Sequence, residues 1–338
     1  MITLEAARAR ILEAVEPLAP RPHPRADARG LVLAEPVRAA EEVPPFANTG
    51  MDGYAVRAGD TAGAPVRLRV VDELAAGRAP SRAVGSGEAI RIMTGAPMPD
   101  GADAIVMVEV THRDGDDVVI DVAANPGDHV RPAGGDLERG QIVFETGTVL
   151  TPAHIGVLAS LGIDEIRCHP RPRVGVMSTG DELVERGALE MGRIRDSNRP
   201  MLLEVVAESG FEPVDYGIVR DDKDEIARRI TTAADECDAL LTSGAVSMGD
   251  FDYVKVVLEE LAAARADSGF TWSQVAIKPA KPLAFGTLGR VPVFGLPGNP
   301  VSSRVSFELF ARPALRTLAG QQHVLQPVVG AIARTAFA

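Results

Sequence analysis

Residues 173–183 read RVGVMSTGDEL, an apolar run that ends on two hydroxyls, a glycine and two carboxylates. The same texture recurs downstream as SNRPMLLEVVAESG (197–210), PVDYGIV (213–219), DDKDEIARRITTAA (221–234), DALLTS (238–243) and DYVKVVLEELAA (252–263). Short apolar runs alternating with stretches of about 12 residues at helical spacing argue for βαβ units and a parallel sheet. Asp222 with Glu225 fits a capping box, and Ser197 or Asn198 followed by Pro200 fits a second helix start. Ligands of open parallel sheets bind beyond the carboxyl ends of the strands, so the loops that follow these runs are where chemistry is expected.

Upstream the texture differs. Thr3 can cap a helix whose Leu4, Ala7, Ile11, Leu12 and Val15 recur at helical spacing, closed by Pro17 and Pro20. From about Val32 to Val149, short alternating runs such as VRLRVV and DDVVIDV are broken by Gly, Pro and Asp, which predicts a mostly β block. TPAHIGVLASLG then carries Thr151 and Pro152 at cap and first-turn positions and ends on Gly162, a punctuated helix.

Composition limits the functional classes. The 338 residues exceed one small module, and 46% hydrophobic with 24% charged residues matches a globular protein. Asp and Glu outnumber Lys and Arg by 47 to 35, a formal charge of -12, which disfavours nucleic acid as a partner. The opening MITLEAARARILEAVEPL is charged throughout, and no run of about 18 apolar residues occurs, so neither a signal peptide nor a membrane span is expected and the cytoplasm is. Cys168 and Cys237 form no C-x-x-C and read as buried small hydrophobes, and the six histidines lack metal-ligand spacing.

Four loops of the α/β region carry chemistry. MSTGDEL puts Thr179, Asp181 and Glu182 at a strand tip. TSGAVSMGDFDYVK offers Ser243, Gly244, Ser247 and Gly249 as a cradle of N–H groups for an oxyanion, with Asp250 and Asp252 at its exit to hold a hard cation. AIKPAKPLAFG presents Lys278 and Lys281 on a proline-stiffened segment suited to anion contacts. In VPVFGLPGNPVSSRVSFELF, the turn Pro297, Gly298, Asn299, Pro300 leads into a helix near Ser302 whose open N–H groups would favour a phosphate. The β block adds Asp52 in MDGYA, Thr94 in RIMTGAP and Asp136 in HVRPAGGDLERG, each of which alone could be an ordinary turn. Walker, dinucleotide-binding, zincin and hydrolase-elbow motifs are absent from the sequence.

Taken in order, MDGYA, RIMTGAP, STGDEL, DSN, TSGAVSMGDFDY, IKPAKP and LPGNPVS resemble the molybdopterin molybdenumtransferase family, the MoeA and gephyrin E-domain group, from about Leu4 to Gly320. The resemblance implies an elongated homodimer built from an α/β molybdopterin-binding domain (1–20 and 171–319), a connecting domain (21–38 and 140–170) and a β-rich domain (39–139). A C-terminal β-barrel would follow, for which residues 320–338 are too few. It also implies magnesium-dependent insertion of molybdate into adenylylated molybdopterin with release of AMP. Glu182, Asp222, Asp250 and Asp252 would position nucleotide or magnesium, with Glu182, Asp250 and Asp252 as metal ligands. Lys278 and Lys281 would hold phosphate or molybdate, while Thr179, Ser243 to Gly249 and Pro297 to Ser302 line the substrate pocket. Asp52, Thr94 and Asp136 would complete the site from the second subunit. Further implied partners are the molybdopterin adenylyltransferase and molybdoenzymes.

Four positions depart from the family pattern. Ala245 and Ala280 replace glycines, and Pro132 and Ala133 stand where arginines are common ahead of Asp136. A molybdopterin-binding scaffold without catalysis and a molybdopterin adenylyltransferase are the alternatives. The number of metal-capable oxygens argues against the first, and the MDGYA-bearing β block against the second.

Overall fold

The computed structural model describes residues 1–244, 253–332, 334 and 335. The chain forms two units, Met1–Glu35 with Thr146–Ile155 and Asp164–Ala338, and Pro36–Glu145 with Gly156–Ile163.

The second unit is β-rich, as the alternating runs predict. Its main sheet joins β1 (Gly53–Val56), β2 (Val66–Leu74), β3 (Glu88–Ile92), β4 (Ala104–Met107), β5 (Thr111–Asp114) and β6 (Asp117–Ile120) in the order β4-β1-β3-β2-β6-β5. Only β2 and β3 run parallel; the other neighbours are antiparallel. Side chains alternate across a strand, so Tyr54 and Val56 pack with Leu68 and Val118 on one face, while Ala55 packs with Ile90 and Ile105 on the other. With both faces covered, β1 is buried at all four positions and loses the apolar-polar alternation of a half-exposed strand. Gly53 is required there, because a Cβ would lie 2.1 Å from the Val106 carbonyl oxygen.

The first unit is a doubly wound α/β layer structure. Its sheet contains β7 (Arg173–Thr179), β8 (Glu212–Val219), β9 (Ala239–Ser243), β10 (Gly269–Gln274), β11 (Pro282–Leu288) and β12 (Val291–Leu296), ordered β8-β7-β9-β12-β11-β10. β8, β7, β9 and β12 are parallel, and β11 is antiparallel to both its neighbours. The helices of the chain are α1 (Leu4–Glu13), α2 (Pro152–Ser160), which the division into units splits at Ile155, α3 (Asn198–Glu208), α4 (Lys223–Glu236), α5 (Tyr253–Ala263), α6 (Pro300–Ser306) and α7 (Arg312–Leu318), with a π turn, Phe307–Ala311, joining the last two. Val174, Val176 and Phe294 share a core with Ile11, Leu202 and Phe307, whereas Met177, Leu240 and Val293 share one with Ile226, Ile230 and Val257. Helices therefore cover both faces, which is what near-continuous apolar strands such as RVGVM and DALLT need. The punctuation holds for α1, where Thr3 Oγ1 accepts the Ala6 N–H at 3.1 Å.

Two helix starts differ in detail from the sequence expectation. Asp222 Oδ1 accepts the Glu225 N–H at 2.8 Å, the cap half of the expected box. At α3 the Ser197 side chain makes no cap bond, and Asp196 Oδ1 takes the Arg199 N–H at 3.2 Å instead.

Candidate functional site

Register brings the tips of the parallel strands to one edge of the sheet. Thr179 is paired with Val219, Ser178 with Ser243, and Ser243 with Leu296. β10 runs with the parallel strands, so the segment linking it to β11, with Lys278 and Lys281, opens at the same edge. The loops bearing Glu182, Asp222, Gly244, both lysines and Pro297 to Pro300 thus leave a single rim. Ser247, Gly249, Asp250 and Asp252 lie outside the described residues.

The rim is held by close contacts. Thr179 and Ser243 are buried, and Thr179 Oγ1 donates to the Ser243 carbonyl at 3.4 Å. Gly244 has φ +95, and a Cβ there would lie 2.6 Å from the Thr179 carbonyl oxygen, so only glycine fits. Gly298 sits against it: its own Cβ would lie 4.0 Å from Gly244 Cα. Asn198 Nδ2 donates to Ser243 Oγ and to the Gly298 carbonyl, each at 2.7 Å. Lys278 and Lys281 are exposed, and the Val275 N–H donates to the Lys281 carbonyl at 2.7 Å, closing the segment into a turn. Inside that turn Ala280 is buried with φ +70, the left-handed conformation a glycine adopts without cost.

The start of α6 corrects one expectation. Asn299 caps it, with Oδ1 accepting the Ser302 N–H at 3.2 Å and its carbonyl the Ser303 N–H at 2.9 Å, while Pro300 has no N–H to offer. The Ser302 and Ser303 donors are thus spent within the helix. Asp222 likewise commits one oxygen to its cap.

A cavity of about 940 Å³ opens behind Gly180, walled by Asp181, Glu182, Glu185, Arg186, Arg193 and Arg220 among others. The Glu182 carboxylate folds over Gly180, where an added Cβ would meet Glu182 Oε2 at 2.4 Å. Asp181 and Asp221 exchange backbone-to-carboxylate hydrogen bonds at 3.3 and 3.4 Å. Among the described residues no three His, Cys, Asp or Glu side chains gather as a metal site. Glu182, exposed and acceptor-only, suits a hard cation, but the described residues alone do not assemble a magnesium site.

The β-rich unit gathers its own three residues. Asp52 Oδ1 accepts the Thr94 N–H and the Thr94 hydroxyl, each at 2.7 Å, and these bonds hold its carboxyl below the ordinary carboxylate range. Arg91 donates to the Gly53 carbonyl at 2.7 Å and stacks 5.3 Å from the Tyr54 ring, bracing the same turn. Asp136 pairs with Arg131 at 2.6 Å, which supplies the guanidinium that Pro132 and Ala133 lack. Strand Asn48–Thr49 ties these pieces together, pairing with Val130–Arg131 on one side and hydrogen bonding to Gly95 and Ala96 on the other.

Comparison with known proteins decides the family. Residues 2–162 match the model described as MoeA N-terminal region (domain I and II), and residues 175–317 match the one described as "Probable molybdopterin binding domain". Molybdopterin molybdenumtransferase 2 of Mycobacterium tuberculosis is 41% identical over 309 residues, 90% of this chain and 76% of its own. The chain belongs to the MoeA family. A molybdopterin molybdenumtransferase of Haemophilus influenzae is 38% identical over 97% of this chain and 80% of its own. The crystal structure of a molybdopterin biosynthesis MoeA protein from Pyrococcus horikoshii superposes with a TM-score of 0.80 at 33% identity, covering 95% of this chain and 81% of that one. Within the MoeA motifs, Asn198 of DSN reads in sequence only as part of a helix start, and Arg91 of RIMTGAP carries no assigned function. Their partners lie 45, 100 and 38 residues away in sequence, so their functions become visible only in the fold.

Proposed function

We propose that this chain inserts molybdate into adenylylated molybdopterin, releasing AMP and the molybdenum cofactor. The observation that carries the reading is the convergence of five loops on one sheet edge. They bring two exposed ammonium groups, a glycine-lined strand tip and a carboxylate to the same rim. Both substrates are oxyanions, one a phosphoanhydride and the other tetrahedral molybdate, so such a rim matches them in charge and in donor type.

In this reading Lys278 and Lys281 draw the phosphates and molybdate to the rim, their segment kept short by the Val275 bond. Gly244 and Gly298, with no side chains, let backbone approach the pterin phosphate closely. Thr179 and Ser243 fix that backbone from below. Magnesium belongs to the proposal through Glu182, Asp250 and Asp252; when bound it would neutralise charge on the phosphoanhydride. Asp52, Thr94 and Asp136 close the pocket from the β-rich unit of a second subunit in a cytoplasmic homodimer. Functional division follows the same lines, with 1–20 and 171–319 binding molybdopterin, 39–139 β-rich, and 21–38 with 140–170 connecting. The adenylyltransferase that makes the substrate and the molybdoenzymes that receive the product are the proposed partners.

The test supplies adenylylated molybdopterin, magnesium and molybdate and follows AMP by chromatography. Molybdate-dependent AMP release with formation of active cofactor is expected, and Lys281→Ala should lower kcat by about 10²–10³, the usual cost of deleting a fixed donor to developing negative charge. AMP release absent in every mixture, or unaffected by molybdate, would refute the assignment.

A further inference from the structure

The Arg199 guanidinium joins three segments of the α/β unit. Its Nε donates to Asp196 Oδ2 at 3.0 Å, and its two terminal nitrogens donate to Asp215 on β8 and to Glu185 in the wall of the cavity. The Arg199 side chain is 8% exposed and that of Asp196 2%. Burying such a pair costs desolvation energy that the ion-pair attraction commonly no more than offsets, so stability alone does not account for it. What the cluster does fix is geometry. Asp196 Oδ1 also accepts the Ser178 hydroxyl at 3.0 Å and the Arg199 N–H at 3.2 Å, pinning the first turn of α3 to the tip of β7.

Asn198 lies inside that pinned turn. It is buried, and its Nδ2 reaches both Ser243 Oγ at the end of β9 and the Gly298 carbonyl beyond β12. The Gly298 carbonyl is an acceptor only, so it dictates which way round the amide sits. The bridge therefore spans the two strand tips from which Gly244 and the Pro297 to Pro300 turn emerge. We propose that Arg199 is a positioning residue acting through Asn198: it holds one amide so that the tips of β9 and β12 stay at a set spacing, which fixes the width of the substrate cradle. This deepens the molybdate-insertion reading and rests on it.

The test compares kcat and kcat/KM for AMP release in wild type, Arg199→Met, Asn198→Ala and the double variant. Asn198→Ala should lower both constants together by about 10²-fold, as a misplacement of about 1 Å does. Arg199→Met should fall in the same direction, and the double variant no further than Asn198→Ala alone. A crystal structure of Arg199→Met gives a readout independent of turnover: the Asn198 amide should have left the Gly298 carbonyl. Losses that multiply in the double variant, wild-type kcat in Arg199→Met, or an amide still in place would each overturn the proposal. An inactive wild type would strike the functional reading instead, leaving the displacement of Asn198 to decide the positioning role. Should Arg199→Met not fold, Asp215→Asn removes the charge of a half-exposed partner; a smaller loss of kcat in the same direction supports the proposal, and an unchanged kcat overturns it.

Discussion

Replacing Gly244 by alanine separates the two demands made on the strand tip. At φ +95 an L-residue is strained, by about 1–2 kcal/mol for the left-handed region. The added methyl would also stand 2.6 Å from the Thr179 carbonyl oxygen, a backbone atom that cannot swing aside, and such overpacking costs about 1–3 kcal/mol. The middle of the combined range is about 3.5 kcal/mol, which at about 2–4 °C per kcal/mol for a unit of this size lowers Tm by about 7–14 °C. Gly217 on β8 is the control: its φ is +74, and nothing lies within 4 Å of its Cβ position. Gly217→Ala therefore meets the conformational strain alone and should cost about 1–2 kcal/mol. Thermal melts followed by circular dichroism, paired with AMP release, make the comparison. Gly244→Ala should melt well below Gly217→Ala and lose most turnover. Equal melting temperatures would mean that the close approach to Thr179 does not exist, and the geometry of the cradle would be wrong.

Three further outcomes follow from particular contacts. Thr94→Val removes the hydroxyl from Asp52 and should raise its pKa towards the ordinary value, read by carboxyl carbon NMR. Because that pKa is depressed in the folded state, whatever stability the pair gives is present above about pH 4 and lost as pH falls through the folded value, so the variant should differ from wild type in acid stability only above that window. Burial pushes the Cys168 thiol up to about 11 and raises that of Cys237, so neither should react with Ellman's reagent at pH 8 until the chain is denatured. Asp52→Ala and Asp252→Ala chains, each inactive, should regain part of the activity when mixed if subunits share the site; no recovery after subunit exchange would contradict the shared pocket.

The α/β half was readable because its signals are local. Thr3 ahead of Leu4 and Asp222 three residues before Glu225 each mark a helix start within one turn. Family motifs then pointed to the rim. What escaped was the long-range bonding: Asp52 meets Thr94 across 42 residues, and Asn198 meets Gly298 across 100. The same limit applies to the helix start near Ser302, since the sequence does not show that Asn299 takes the Ser302 and Ser303 N–H groups. Arg131 is a milder instance. It does not stand at the two positions immediately before Gly134, yet it reaches Asp136 from the end of the strand Val130–Arg131.

Crystals of the chain soaked with magnesium and AMP test the central claim most directly. The account predicts nucleotide density at the carboxyl edge of the α/β sheet, with its phosphate within reach of Lys281 and the Gly298 turn and its neighbourhood including Glu182. AMP bound with saturable affinity in solution yet located anywhere else on the molecule would contradict it.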